Sequence, residues 1–154
     1  MPFIYFGENS DIVEIKESKI SGAGQGLFAK KKIKKGDFIC WYYGVYVDRA
    51  SVENGYYESD YLLTLRGQDL VIDASDPLSC YGRYINDSLS MKKTNSSFVS
   101  YENTYSAGVK AIKDIKKGDE IYISYGIEFW EEPSRKNKLS QKDREYIEEN
   151  NDEI

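Results

Sequence analysis

Ala29 to Gly44 reads AKKKIKKGDFICWYYG, and Ala111 to Gly126 reads AIKDIKKGDEIYISYG. The second segment follows the first at a constant offset of 82 residues, and the two agree at ten of sixteen positions: Ala, Lys, Ile, Lys, Lys, Gly, Asp, Ile, Tyr and Gly. Chance gives roughly one or two matches for such compositions, which makes internal repetition the first property to explain. In each copy the turn residues Lys-Lys-Gly-Asp precede a β-branched and aromatic run that ends in Tyr-Gly. That is the pattern of a hairpin strand delivering a tyrosine. By itself the spacing also fits two similar edge hairpins of an all-β domain.

A chain of 154 residues is one domain of ordinary size, and 14% aromatic content with fourteen Tyr suits a β-rich fold. Cys40 and Cys80 stand alone, without a C-x-x-C neighbour, so neither a zinc cluster nor a disulfide framework is indicated and a reducing, intracellular setting is expected. There is no histidine. This removes Ser-His-Asp and Cys-His catalysis, H-E-x-x-H zinc sites and imidazole acid-base chemistry together, and no metal site is expected. The acidic N-terminus and the lack of any 18-residue apolar run predict a protein that is neither secreted nor membrane-spanning. Of the net charge of −5, most lies at the end: residues 127–154 hold 5 Lys/Arg against 9 Asp/Glu, while residues 1–126 hold 16 against 17. The five lysines of Lys30 to Lys35 form a local basic patch, but they sit in a turn of an acidic protein, where solvated lysines are the default.

Strand signals occur at Ile12–Ile15, at Leu27–Ala29 after the run Ser21-Gly22-Ala23-Gly24-Gln25-Gly26, and from Phe38 to Val47. Residues 48–60 read as a loop or short helix. Tyr61–Leu65 and Leu70–Asp73 alternate across Arg66-Gly67-Gln68-Asp69 as a hairpin, residues 74–97 are turn-rich, and Phe98–Tyr101 pairs with Ser106–Ala111. Only Ser140 to Asn150 reads as a helix, capped by Ser140 and ending in a frayed acidic stretch at Glu148–Glu153. The fold class is mainly β, built of small sheets and hairpins.

Three segments carry candidate chemistry. G-A-G-Q-G is either a flexible loop or a place where backbone groups approach a ligand closely. No helix pattern follows Gly26, so it is no dinucleotide fingerprint, and Gly-Lys-Ser/Thr is absent. Gly82-Arg83-Tyr84-Ile85-Asn86-Asp87-Ser88 places several hydrogen-bonding groups at a bend, or is simply a turn. Ile121-Tyr122-Ile123-Ser124-Tyr125-Gly126-Ile127-Glu128-Phe129-Trp130 is an aromatic cluster suited to a core or to lining a channel.

In this order and at these distances, G-x-G-x-G-L-F-A with K-K-G-D, the Asp-Ala of Val71-Ile72-Asp73-Ala74, G-R-x-I-N-x-S, and K-x-I-x-x-G-D-E-I-x-I-S-Y-G resemble the SET-domain protein lysine methyltransferases. The resemblance covers about residues 12–130. The final I-S-Y-G-x-x-F-W is most similar to the minimal SET proteins of large DNA viruses. It implies a SET fold of small twisted sheets with a knot-like C-terminal arrangement over 1–130 and a partly helical extension over 131–154.

The resemblance further implies S-adenosylmethionine in a pocket on one face, the target lysine entering an aromatic channel from the other, and no metal. By motif position, Ala23, Gly24, Gln25, Gly26 and Leu27 would hold the cofactor through backbone contacts, Asn86 and the backbone of Asp87 would bind its methionine and adenine portions, and Trp130 would cover the adenine. Tyr125 matches the catalytic tyrosine. Tyr42 and Phe129 match channel-lining aromatics, and Ile123 stands where a larger residue often limits the number of methyl groups added. Asp87 departs from the family, which usually has Asn-His-Ser where this chain has Asn86-Asp87-Ser88.

The implied function is methylation of lysine in a histone tail or other basic protein, in an intracellular, nuclear or chromatin setting. No direct nucleic-acid or membrane contact is expected, and a homodimer is allowed. Two other classes stay open: a catalytically silent SET module that binds peptide or cofactor, and a nucleic-acid-binding β-domain using Lys30 to Lys35.

Overall fold

The structure, a computed structural model, describes residues 10–65 and 67–150, without the side chains of residues 102 and 150. Its strands form three antiparallel sheets of three. In the first, β2 (Gln25–Ala29) lies between β1 (Val13–Glu17) and β9 (Glu120–Ile121). In the second, β8 (Ser106–Ala111) lies between β3 (Phe38–Tyr42) and β7 (Ser96–Tyr101). In the third, β6 (Leu70–Asp73) lies between β4 (Val45–Asp48) and β5 (Leu62–Thr64). The mainly β SET architecture read from the sequence is the architecture present.

The two repeat copies hold each other. Ile33 and Ile115 exchange both backbone hydrogen bonds, at 2.9 and 2.8 Å. Around them the backbone bonds that join the two copies have counterparts 82 residues away. Ala29 N–H donates to Asp119 O at 3.0 Å and Ala111 N–H to Asp37 O at 2.9 Å, while Gly36 N–H donates to Ala111 O and Gly118 N–H to Ala29 O, each at 2.8 Å. The Lys-Lys-Gly-Asp turns are therefore related by a local two-fold axis, and identical turn chemistry satisfies identical backbone groups.

Beyond the turns the copies diverge. The first continues as β3, but the expected strand from Phe38 to Val47 is broken: β3 ends at Tyr42, and β4 starts at Val45 in another sheet. Gly44 makes the crossing, packed so closely on β6 that a Cβ there would lie 2.0 Å from the Asp73 carbonyl oxygen. The second copy contributes only the two residues of β9. It then leaves the sheet because the Tyr122–Ile123 peptide is claimed on both sides: Ser96 N–H donates to Tyr122 O at 3.1 Å, and Ile123 N–H donates to Asn86 O at 3.0 Å. These two bonds, in parallel register, give the knot-like C-terminal arrangement.

Besides α4 (Gln141–Asn150), a short helix α1 (Arg49–Glu53) lies within residues 48–60, where the sequence allows one, while the helical turns α2 (Ile127–Glu131) and α3 (Pro133–Lys136) go beyond what the sequence predicts. Two of these short pieces are set by local capping, and α2 follows Gly126 without a side-chain cap. Asp48 accepts from Ser51 N–H in α1, and Glu132 accepts from Ser134 N–H with Pro133 at the first position of α3. In α4 the Ser140 hydroxyl accepts from Asp143 N–H at 3.2 Å, as expected. Residues 151–154 of the acidic end and Arg66 of the β5–β6 turn lie outside the described residues.

Two apolar clusters fill the interior. The larger joins Val13, Ile15, Leu27, Ile33, Ile39, Ile85, Val109, Ile115, Ile121 and Ile123; the smaller joins Tyr42, Leu65, Ile72, Ala74, Cys80 and Ala107. Each fully buried Ile or Leu contributes about 1.5–3 kcal/mol. The larger cluster thereby locks the repeat turns, the Ile85 bend and the 121–123 segment into one body, and this fixes where the chain beyond Ile123 must run.

Candidate active site

One cavity of about 520 Å3 opens where these segments converge. It is bordered by Ala23 and Gln25 of the glycine run, Tyr42 at the end of β3, Asn86, Tyr125, and Phe129 and Trp130 of α2. Seven residues singled out by sequence thus meet around one space. The backbone explains the convergence. Gly24 has φ of +75°, a conformation that glycine adopts freely, and the turn it makes lies between the two residues of the run that border the space, Ala23 and Gln25. Asn86 fastens the bend to this run through its side-chain amide, which donates to Gln25 O at 2.9 Å.

Tyr125 is held at both ends. Its hydroxyl donates to Ile85 O at 2.6 Å, and its backbone N–H donates to Asp87 Oδ2 at 2.9 Å. Its ring meets Phe129 edge-on at 4.8 Å and lies parallel to Trp130 at 6.0 Å between centroids. Burial, reinforced by the Asp87 charge, pushes the phenol well above its ordinary range and keeps it protonated. Tyr42 is nearly buried, packs edge-on against Phe98 at 5.7 Å and donates its hydroxyl to Tyr61 O at 2.9 Å. Burial pushes this phenol up as well, with the Cys80 thiol adding to the shift. The repeat-matched partner of Tyr125 is Tyr43, which instead stacks on Trp41 at 5.6 Å. Tyr122 also turns away: its hydroxyl reaches Glu120 Oε1 at 3.2 Å, and burial with that carboxylate pushes it up to about 12.

Gly24, Gly26, Leu27, Asp87 and Ile123 do not border the cavity. Leu27 and Ile123 are core residues, and a Cβ on Gly26 would lie 2.5 Å from Glu120 Oε2, so these three support the wall from behind. Asp87 faces Tyr125 and Trp130 rather than the open space.

Several wall residues were not singled out from sequence: Asp60, Tyr61, Leu62 and Leu63 before and within β5, Phe98, and Arg135, Lys138 and Leu139 beyond α2; Arg83, part of the G-R-x-I-N-x-S segment but given no role there, joins them. The alternation of Tyr61–Leu65 marked a strand but not what it faced. Arg135 joins two sides of the mouth, with its guanidinium 3.9 Å from the Phe129 ring centroid, Nη1 donating to Phe129 O at 3.1 Å and Nη2 to Asp60 Oδ1 at 2.8 Å. Among the described residues no group of three or more Cys, Asp or Glu could hold a metal ion, and no helix is long and apolar enough to cross a membrane. The Lys30–Lys35 turn is exposed apart from Ile33, with Lys31 Nζ 3.7 Å from Asp11 Oδ2.

The family model of the SET domain matches residues 24–126, and the chain belongs to that family. Its relatives include histone-lysine methyltransferases. It is 31% identical to the histone-lysine N-methyltransferase mes-4 of Caenorhabditis elegans, over 68% of this chain and 13% of that one. It is 30% identical to the histone-lysine N-methyltransferase EZH2 of Chaetomium thermophilum, over 86% of this chain and 9% of that one. Among solved structures, ctPRC2 in an autoinhibited conformation bound to S-adenosylmethionine superposes with a TM-score of 0.63 at 25% identity, covering 82% of this chain and 17% of that one. The chain thus spans less than a fifth of the length of each of these proteins.

Proposed function

We propose that this chain is an S-adenosylmethionine-dependent protein-lysine N-methyltransferase acting on a histone tail or another basic protein. The observation that carries the reading is the neutral, doubly anchored Tyr125 on the same cavity as the glycine-run backbone, Asn86 and Trp130. The cavity fits such a cofactor in size, within the roughly 300–1,000 Å3 of small-molecule sites. Its lining also suits such a cofactor in chemistry, with Ala23 and Gln25 of the glycine run, the polar Asn86 and the aromatic Trp130. When bound there, S-adenosylmethionine supplies an electrophilic methyl group.

The chain's own contribution is positional and electrostatic. Tyr125, protonated, presents a hydroxyl that orients the incoming amine, and Tyr42 and Phe129 strip water from the lysine stem. Aromatic faces favour the cationic head as it arrives, and the amine that attacks is the form that has lost its proton to solvent water. No imidazole is needed. A weakly acidic protein suits a basic peptide. Ile123 remains in the core, so no bulky side chain from that position narrows the site, which favours products beyond monomethyl-lysine. The SET unit of this reading spans 1–130, with 131–154 as an extension that supplies Arg135, Lys138 and Leu139 to the wall. An intracellular, nuclear setting, a likeness to minimal viral SET proteins through I-S-Y-G-x-x-F-W, and a homodimer go with it.

The test is tritiated S-adenosylmethionine incubated with core histones and with histone-free lysate, with mapping of the labelled residues. Label on lysine supports the proposal. Cofactor binding without transfer to either source would point to a silent module, and salt-sensitive DNA binding without cofactor affinity to a nucleic-acid-binding domain.

A further inference from the structure

Asp87 stands where the family usually has histidine, and its carboxylate is committed three times. Oδ1 accepts Leu89 N–H at 2.8 Å, while Oδ2 accepts both Tyr125 N–H and Trp130 Nε1–H at 2.9 Å. The three donors come from its own bend, from the residue carrying the cavity hydroxyl, and from the indole on the cavity wall. A neutral imidazole has one acceptor nitrogen and could satisfy only one of them, whereas a carboxylate has about four lone-pair sites. Charge-assisted bonds of this kind are roughly twice as strong as neutral ones. The rings of Tyr125 and Trp130 lie parallel, 18° apart, with centroids at 6.0 Å. The same charge joins burial in keeping the Tyr125 phenol protonated.

We propose that the Asp87 carboxylate is a positioning residue that ties the Trp130 indole to the Tyr125 backbone, so that the cofactor wall and the amine-orienting hydroxyl keep one fixed spacing. Its catalytic consequence rests on the methyltransferase reading, but the tie itself does not. The departure from histidine is then a gain of function at that position: the side chain has taken a task that an imidazole cannot perform.

The test uses the full chain and two readouts. The first is hydrogen exchange of the indole N–H by NMR, where Trp41 and Trp130 give the only two indole signals and Trp130→Phe assigns them. The second is S-adenosylmethionine affinity by calorimetry in a double-mutant cycle of Asp87→Asn with Trp130→Phe. The expected result is faster exchange at Trp130 by about tenfold in Asp87→Asn, and a cofactor Kd weakened about tenfold by either substitution. The double variant should be no weaker than either single one. KM for the peptide should stay unchanged while KM for the cofactor rises.

Unchanged Trp130 exchange in a folded Asp87→Asn protein overturns the proposal, as does full additivity of the two substitutions. If Asp87→Asn does not fold, the unsubstituted chain decides: a Trp130 indole N–H that exchanges as fast as a free indole overturns the proposal. Absence of any cofactor binding by the unsubstituted chain would instead overturn the methyltransferase reading, and the indole exchange would still decide the tie.

Discussion

The Tyr125 hydroxyl donates to Ile85 O at 2.6 Å from a ring enclosed by Phe129 and Trp130, so its direction is set before any substrate arrives. Tyr125→Phe keeps the ring and removes that direction. Turnover should fall at least about a hundredfold, the lower range for a positioned group acting on a transferring centre. Cofactor affinity measured by calorimetry should be unchanged, and unchanged turnover would sink the assignment. The pH dependence comes from the substrate amine and not from the phenols. A lysine amine with an ordinary pKa of about 10.4 must lose its proton first, so single-turnover rate should rise about tenfold per pH unit from pH 7 toward 10. Tyr125 and Tyr42 are both raised above their ordinary value, so neither ionises in that interval and the profile should not turn down. For folding, a raised phenol contributes stability that is complete below about pH 10 and is lost as pH climbs through the folded value. Circular dichroism should therefore show a folded chain throughout the profile.

At the level of elements, β6 anchors one side of the site. Asp73 at its end is buried and takes hydroxyl bonds from Tyr57, from Ser59 at 2.8 Å and from Ser75 at 3.1 Å, with Ser75 N–H donating at 3.0 Å. These hold the segment that leads to Tyr61 and the cavity wall. Burial alone would raise the Asp73 carboxyl, but the four donors outweigh it and bring it below the usual carboxylate range. A depressed carboxyl contributes stability above its unfolded value near 4 and loses it as pH falls through the folded one. Asp73→Ala should cost about 3 kcal/mol at neutral pH in urea denaturation, and the deficit should shrink below pH 4. Gly44→Ala places a methyl on the Asp73 carbonyl and should cost about 1–3 kcal/mol or unfold the sheet crossing. A loss under about 0.5 kcal/mol, within the range of ordinary surface changes, would show that β4 does not cross there.

Across the whole molecule, α4 carries a fully buried Ile147, so the C-terminal segment shares the interior despite its polar surface. Ile147→Ala should lower global stability by about 2–5 kcal/mol in a single cooperative transition; a separate early transition would mean that the extension folds independently. The turns at Lys34–Asp37 and Lys116–Asp119, the β5–β6 and β7–β8 hairpins and the Ser140 cap were legible because each depends on neighbours within a few residues. The broken Phe38–Val47 run and the helical turns at α2 and α3 were not, because β propensity is a statement about packing partners that local pattern does not contain. Where the chain turns, which segments repeat, and which glycines, amides and tyrosines could form a site are all written in the order of residues, since local backbone chemistry decides them. Packing across the molecule decides the rest. It bonds the repeated turns to each other about a two-fold axis, sets Tyr42 and Tyr125 rather than Tyr43 or Tyr122 on the cavity, and brings Asp87 to donors 38 and 43 residues away. Such contacts arise where distant strands are forced into register by one shared core, and no local pattern carries that register.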